Sequence, residues 1–137
     1  MTEVFLDAAY AIALSASNDQ YHQQALILAD KLEASRVRLV TTRAVILEIG
    51  NALAKSRYRR AAISLLDALE QDPNVEIVPL SEALYAQAFR LYKDRTDKEW
   101  GLIDCISFIV MQERGLTQAL TTDQHFRQAG FQILLHS

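Results

Sequence analysis

Residues 102–123 read LIDCISFIVMQERGLTQALTTD. Leu102 to Arg114 carry apolar groups at helical spacing, and Gly115 suits the left-handed residue that follows a helix end. Thr117 to Leu120 then read as a strand that stops at Thr121-Thr122-Asp123. A helix delivering the chain through a tight turn into an apolar strand is half of a parallel-sheet unit. The same alternation extends in both directions. Towards the C-terminus come a short helix after Asp123 and a fifth strand over Phe131–Leu135. Towards the N-terminus, a helix from Ser81, its N-cap, to about Tyr92 follows a strand over Val75–Val78 and the turn Asp72-Pro73-Asn74. Helices over about 59–70 and 43–55 precede that turn, then a strand over Val37–Val40, a helix over about 21–35, a helix ending near Leu14, and a first strand, Val4-Phe5-Leu6. The expected fold is α/β: a mainly parallel, roughly five-stranded sheet covered by helices on both faces.

Composition narrows the function. The chain of 137 residues is 50% hydrophobic with 23% charged residues, enough for one domain with a real core, so a single domain over residues 1–137 is expected. No apolar run approaches a membrane span and the start lacks a basic leader, so a soluble, cytoplasmic protein with no membrane partner is expected. The single cysteine, Cys105, excludes an internal disulfide framework. Gly50, Gly101, Gly115 and Gly130 stand far apart, which excludes the closely spaced glycines of phosphate-cradling nucleotide loops. Net charge is −3, yet it is uneven: residues 31–60 carry a balance of +6 and the remainder −9. That asymmetry can steer a polyanion to one side, and solvated helix faces would equally explain it.

Four carboxylates sit in apolar places. Asp7 ends the first strand, Glu48 interrupts Val45-Ile46-Leu47-Glu48-Ile49, Asp104 lies within Leu102-Ile103-Asp104-Cys105-Ile106, and Asp123 follows the fourth strand. An ionised carboxylate in a dry site costs several kcal/mol unless it is paired or binds a cation. Ligands of open parallel sheets bind beyond the carboxyl ends of the strands, where Asp7 and Asp123 stand. Converging carboxylates without matching histidines or thiols describe an oxygen-ligand site for Mg²⁺ or Mn²⁺. Singly, each has a plainer reading: Asp7 and Asp123 could cap helices, and Asp104 could favour a helix N-terminus electrostatically.

The residues that carry a resemblance run nearly end to end: Val4-Phe5-Leu6-Asp7; Thr41-Thr42 through Leu47-Glu48-Ile49-Gly50-Asn51; Asp97 through Trp100-Gly101-Leu102-Ile103-Asp104 to Phe108; and Leu120-Thr121-Thr122-Asp123-Gln124-His125-Phe126. The chain resembles the PIN-domain family and, within it, the VapC-type toxins of prokaryotic toxin–antitoxin systems. The resemblance implies a three-layer α/β/α sandwich and a metal-dependent endoribonuclease. The family's acidic quartet falls on Asp7, Glu48, Asp104 and Asp123, with Asp7 and Asp104 the surest metal ligands. It also implies homodimers and a small VapB-like antitoxin. Two positions depart from the family: Ile103 and Ala8 stand where many relatives carry a hydroxyl, a loss that can weaken metal affinity or activity about 10–100-fold.

On this reading Mg²⁺ or Mn²⁺ lowers the pKa of the attacking water and stabilises charge at phosphorus. RNA is expected over the basic segment, at Arg43, Lys55, Arg57, Arg59 and Arg60. Trp100 reads as a core anchor before a base-stacking residue. His125 is the nearest thing to a general base but reads better as a surface histidine on a short helix, Cys105 as a buried small hydrophobe, and Thr122 as a strand-end residue able to reach a neighbouring ligand. A receiver domain is set aside because Ala8-Ala9 follow Asp7 and no lysine follows the fifth strand. A DxD phosphatase fails for the same alanines. The serious rival is a PIN-like module that binds RNA or protein without cutting.

Overall fold

Val4, Phe5 and Leu6 are buried in succession, which is required of a strand covered on both faces and not of one with a wet side. In the computed structural model, which describes residues 2–135, they form the middle strand of the sheet. The elements in order are β1 (Glu3–Leu6), α1 (Ala8–Ser15), α2 (His22–Ala34), β2 (Arg38–Thr42), α3 (Arg43–Ala52) and α4 (Ser56–Gln71). They continue with β3 (Val75–Val78), α5 (Glu82–Asp94), α6 (Leu102–Arg114), β4 (Gln118–Leu120), α7 (Gln124–Gln128) and β5 (Gln132–Ile133). The strand order is β3-β2-β1-β4-β5 and every pairing is parallel. This is the expected α/β/α architecture, with the sheet parallel throughout.

The chain builds outward from β1 to β2 and β3, then returns to the other side of β1 for β4 and β5. The order therefore reverses between β1 and β4, and a crevice opens where the flanking loops leave in opposite directions. Phe5 pairs with Ala119 and Leu6 with Leu120, so the two strands end level with one another. The Asp7 backbone N–H donates to the Leu120 carbonyl at 3.2 Å, and the Thr41 hydroxyl donates to the Leu6 carbonyl at 2.7 Å. These bonds hold the carboxyl ends of β1, β2 and β4 at one edge.

Packing fixes the helices over that edge. α1 packs against α2, α3 and α4, while α6 packs against α5, α7 and α3. Phe108 of α6 meets Phe126 of α7 edge-on with ring centroids 5.0 Å apart, Trp100 meets Phe108 at 5.0 Å, and Phe126 lies 6.2 Å from Phe5. Each fully buried side chain of this size contributes roughly 1.5–3 kcal/mol, and the aromatic seam ties α6 and α7 to the central strand. Trp100 is thus the expected core anchor, with its Nε1 donating to Gln128 Oε1 at 3.0 Å.

Local chemistry sets the element ends. Ser81 caps α5 by accepting from the Leu84 N–H at 3.1 Å, and Gly115 ends α6 at φ +66°, both as the sequence indicates. Differences fall at other ends. β2 runs on to Thr42, whose side chain then caps α3 by accepting from the Val45 N–H. α3 ends at Ala52, short of Lys55, and α4 starts at Ser56, ahead of Arg59. β5 covers only Gln132 and Ile133 of the expected Phe131–Leu135, because only Gln118 and Ala119 of β4 pair with it. Among the described residues, no helix is long and apolar enough to cross a membrane.

Candidate metal centre

Asp7 leaves the end of β1 as the residue before α1, and it is 5% exposed. Its side chain makes no capping hydrogen bond further into that helix, although the Ala8 backbone N–H favours its charged form. Asp7 Oδ2 instead accepts the hydroxyl of Thr121, at the matching end of β4, at 2.7 Å. The same Thr121 oxygen accepts the Asp123 backbone N–H at 3.0 Å. Thr121, not Thr122, is therefore the hydroxyl that serves the acids. Sequence alone could not separate two adjacent threonines at a strand end whose register was unknown.

Glu48 is half-buried on α3, and Asp104 occupies the first turn of α6. Asp104 Oδ2 accepts the Gly101 backbone N–H at 3.2 Å, so this acid has a helix-end role as well. Asp123 caps α7 by accepting the His125 N–H at 2.9 Å. Both plainer readings hold for one oxygen of each carboxylate. Neither accounts for the two acids facing a common neighbour: His125 Nδ1 lies 2.8 Å from Asp104 Oδ2 and 3.4 Å from Asp123 Oδ1.

His125 lies on the short α7 with its side chain 31% exposed, as a surface histidine would, but it also stands on the acids, which the sequence does not indicate. The missed signal is the spacing Asp123-x-His125: an aspartate capping a helix brings the residue two positions on back over its own carboxylate. Among the described residues, Asp104, Asp123 and His125 can each place one ligand atom within 4.8 Å of the others. Asp7 and Glu48 lie outside that tight group but within electrostatic reach of it.

The electrostatics mark the site as short of positive charge. Burial pushes the Asp7 carboxyl up to about 7; the Thr121 hydrogen bond opposes this, and the charges of Glu48 and Asp104 add to it. Glu48 is raised by burial, then by Asp104 and Asp123. Asp104 is raised by burial, with the His125 hydrogen bond opposing and Asp123 adding. Burial pulls His125 down, but the hydrogen bond to Asp104 and the charges of Asp123, Asp104 and Glu99 outweigh it and raise this imidazole. Among the described residues, no lysine or arginine makes an ion pair with any of the four acids. Crowded carboxylates that destabilise one another, with a single titratable imidazole beside them, fit a divalent ion.

The five basic residues are not drawn into this cluster. Arg43 is held in a bidentate pair with Glu70, and Arg59 donates twice to the Ala54 carbonyl, at 3.0 and 2.7 Å. The Arg57 guanidinium lies 4.8 Å from the Tyr58 ring centroid. Lys55 and Arg60 are exposed. Arg43, expected among the RNA contacts, shares its charge with Glu70. Cys105 is fully buried and its thiol is pushed up to about 11 by burial and by Asp104, which suits packing and not nucleophilic attack. Ala8 is buried against the core and Ile103 half-buried against it, so neither departure leaves a gap. A groove of about 540 Å³ between α1, α2, α4 and the sheet, lined by Tyr10, Leu32 and Leu69 among others, contains none of the four acids.

An open parallel sheet with acids gathered at its switch point defines a class of α/β proteins that bind ligands beyond the carboxyl ends of their strands. The PIN domain family model matches residues 4–132, and the chain belongs to that family. It is 28% identical over 129 residues to the 23S rRNA-specific endonuclease VapC20 of Mycobacterium tuberculosis, covering 93% of this chain and 95% of that protein. The crystal structure of that toxin, described as cleaving the sarcin–ricin loop, superposes with a TM-score of 0.81 at 26% identity, again over 93% and 95% of the two chains. Two further likenesses bear on the fold alone. VapBC2 of Rickettsia felis, bound to a promoter DNA fragment, gives a TM-score of 0.66 at 14% identity over 97% and 98%. FitAcB of Neisseria gonorrhoeae gives 0.62 at 22% over 96% of each chain.

Proposed function

We propose that this chain is a single-domain, metal-dependent endoribonuclease, the toxin of a VapBC-type pair acting in the cytoplasm. The observation that carries the reading is the gathering of Asp7, Glu48, Asp104 and Asp123 at the β1–β4 edge with, among the described residues, no lysine or arginine paired to them. The helix-end bonds of Asp104 and Asp123 do not require four charges to be crowded together, whereas a bound cation offsets the repulsion.

Asp7 and Asp104 would hold the ion, Glu48 would hold a metal-bound water or a second ion, and Asp123 would complete the cluster, directly or through water. Mg²⁺ or Mn²⁺ bound there supplies Lewis acidity at the scissile phosphate and promotes ionisation of the attacking water. The chain's own contribution is positional. Thr121 fixes the Asp7 carboxylate through its 2.7 Å hydrogen bond, and the Trp100–Phe108–Phe126 seam sets α6 against α7, and hence Asp104 against Asp123. Lys55, Arg57, Arg59 and Arg60 supply phosphate attraction from the start of α4.

The naming of VapC20 makes 23S ribosomal RNA the first substrate to test. The family resemblance supports a small VapB-like antitoxin as partner and a homodimer. The deciding experiment incubates antitoxin-free protein with labelled ribosomal RNA in Mg²⁺, Mn²⁺ or EDTA, beside Asp7→Asn and Asp104→Asn. Cleavage that needs metal and vanishes in both variants is expected. Folded protein that binds metal and RNA yet leaves every strand intact would make it a binding module instead.

A further inference from the structure

We propose that His125 is a direct nitrogen ligand of the divalent cation, and that with Asp104 and Asp123 it makes a mixed nitrogen–oxygen group favouring Mn²⁺ over Mg²⁺. The inference rests on the metal-site reading above and adds to the acidic quartet a ligand of different chemistry.

Three observations carry it. Asp104, Asp123 and His125 can bring their donor atoms within 4.8 Å of one another, so the group is not of carboxylates alone. The separations of 2.8 and 3.4 Å from His125 Nδ1 to the two carboxylate oxygens bracket the roughly 3.0 Å between neighbouring ligands of an octahedral ion with bonds near 2.1 Å. The imidazole is also fixed from below. Asp123 caps the turn that carries it, and Phe126 beside it is fully buried against Phe5 and Phe108. A ring attached at a rigid helix start, with a nitrogen facing two carboxylates, is placed to coordinate.

The consequence is selectivity. Mg²⁺ is a hard ion that prefers oxygen, whereas a first-row transition ion gains from an imidazole nitrogen. Replacing His125 should therefore weaken Mn²⁺ binding and leave Mg²⁺ binding nearly untouched. A residue that merely hydrogen-bonds to Asp104 would instead affect both ions alike.

The test is pulsed electron paramagnetic resonance on the full chain loaded with Mn²⁺, alongside calorimetric titration with each ion. Wild-type protein and His22→Gln should show the modulation of a coordinated imidazole nitrogen, and His125→Gln and His125→Ala should lack it. Mn²⁺ affinity should fall about tenfold or more in the His125 variants, with Mg²⁺ affinity changing less than twofold. Mn²⁺ bound in an Asp104-dependent manner without nitrogen modulation overturns the ligand while leaving the metal centre standing. So does modulation that survives in folded His125→Gln, or an equal loss for both ions. Mn²⁺ that fails to bind wild-type protein, or binds regardless of Asp104→Asn, removes the metal-site reading and this ligand with it.

Discussion

Thr121 donates its hydroxyl to Asp7 Oδ2 across 2.7 Å, joining residues 114 positions apart in the chain at the ends of two neighbouring strands. Both are buried, so the bond is shielded from water and fixes the orientation of the most deeply buried of the four acids. Thr121→Val keeps the shape and removes the donor. It should cost about 1–3 kcal/mol, since the Asp7 oxygen loses its partner in a dry place. Metal affinity should fall about 10–100-fold because the carboxylate is no longer held in register. Urea unfolding and calorimetric metal titration check both effects; an affinity equal to wild type would mean that the hydroxyl only fills space.

Asp7 predicts the pH dependence of metal-free protein. Its carboxyl ionises near 3.8 in the unfolded chain and near 7 in the folded one, with burial as the first cause. Between those values the folded state holds a proton that the unfolded state has released, so stability falls as pH rises and levels off above about pH 7. The full loss is on the order of 4 kcal/mol, at 1.36 kcal/mol per pH unit. Glu48 and Asp104 are raised as well and add a slope of the same sign. In EDTA, Asp7→Asn should unfold at higher urea than wild type at pH 8 and lose that advantage towards pH 5. Equal midpoints for the two proteins across this range would rule the account out.

Hydrophobic pattern carried most of the fold into the sequence. The uninterrupted Val4-Phe5-Leu6 run marks a strand buried on both faces, and the Leu102–Arg114 helix closed by Gly115 has one sensible reading. The four acids stood out for the same reason, as charges in apolar surroundings. Pairwise geometry was not legible. Which of Thr121 and Thr122 faces Asp7 depends on strand register, and a one-residue slip turns every side chain to the other face. That His125 lies over the acids follows from Asp123 capping a five-residue helix, too short to show periodicity. That Arg43 pairs with Glu70 depends on how α3 crosses α4, which no local pattern encodes.

The basic segment separates into two kinds of residue, and salt dependence distinguishes them. Replacing Arg57, Arg59 and Arg60 together by glutamine should weaken RNA binding and lower the log–log salt slope by roughly 2, since each lost contact with a single strand removes about 0.7. Arg43→Gln should leave that slope unchanged. Its half-exposed pair with Glu70 is worth about 0–1 kcal/mol of stability and nothing to the RNA. Filter binding over a range of salt concentrations makes the comparison. A slope that drops with Arg43 and not with the triple variant would place the RNA over the α3 start.

Trp100 offers a test of whether the aromatic seam sets the metal site or only stabilises the protein. Its ring packs edge-on against Phe108, its Nε1 donates to Gln128 on α7, and the Arg95 guanidinium lies 5.0 Å from its centroid. Trp100→Ala should cost about 3–5 kcal/mol, as a large buried side chain leaves a cavity. Trp100→Phe keeps most of the packing and loses the indole hydrogen bond, for about 1 kcal/mol. The diagnostic quantity is metal affinity in Trp100→Phe. That bond links the segment just before α6 to α7, so breaking it loosens Asp104 relative to Asp123 and His125 while the core stays filled. Metal affinity should fall several-fold with only a small change in the urea midpoint. Were the indole a base-stacking group, RNA binding would fall instead, with metal affinity intact.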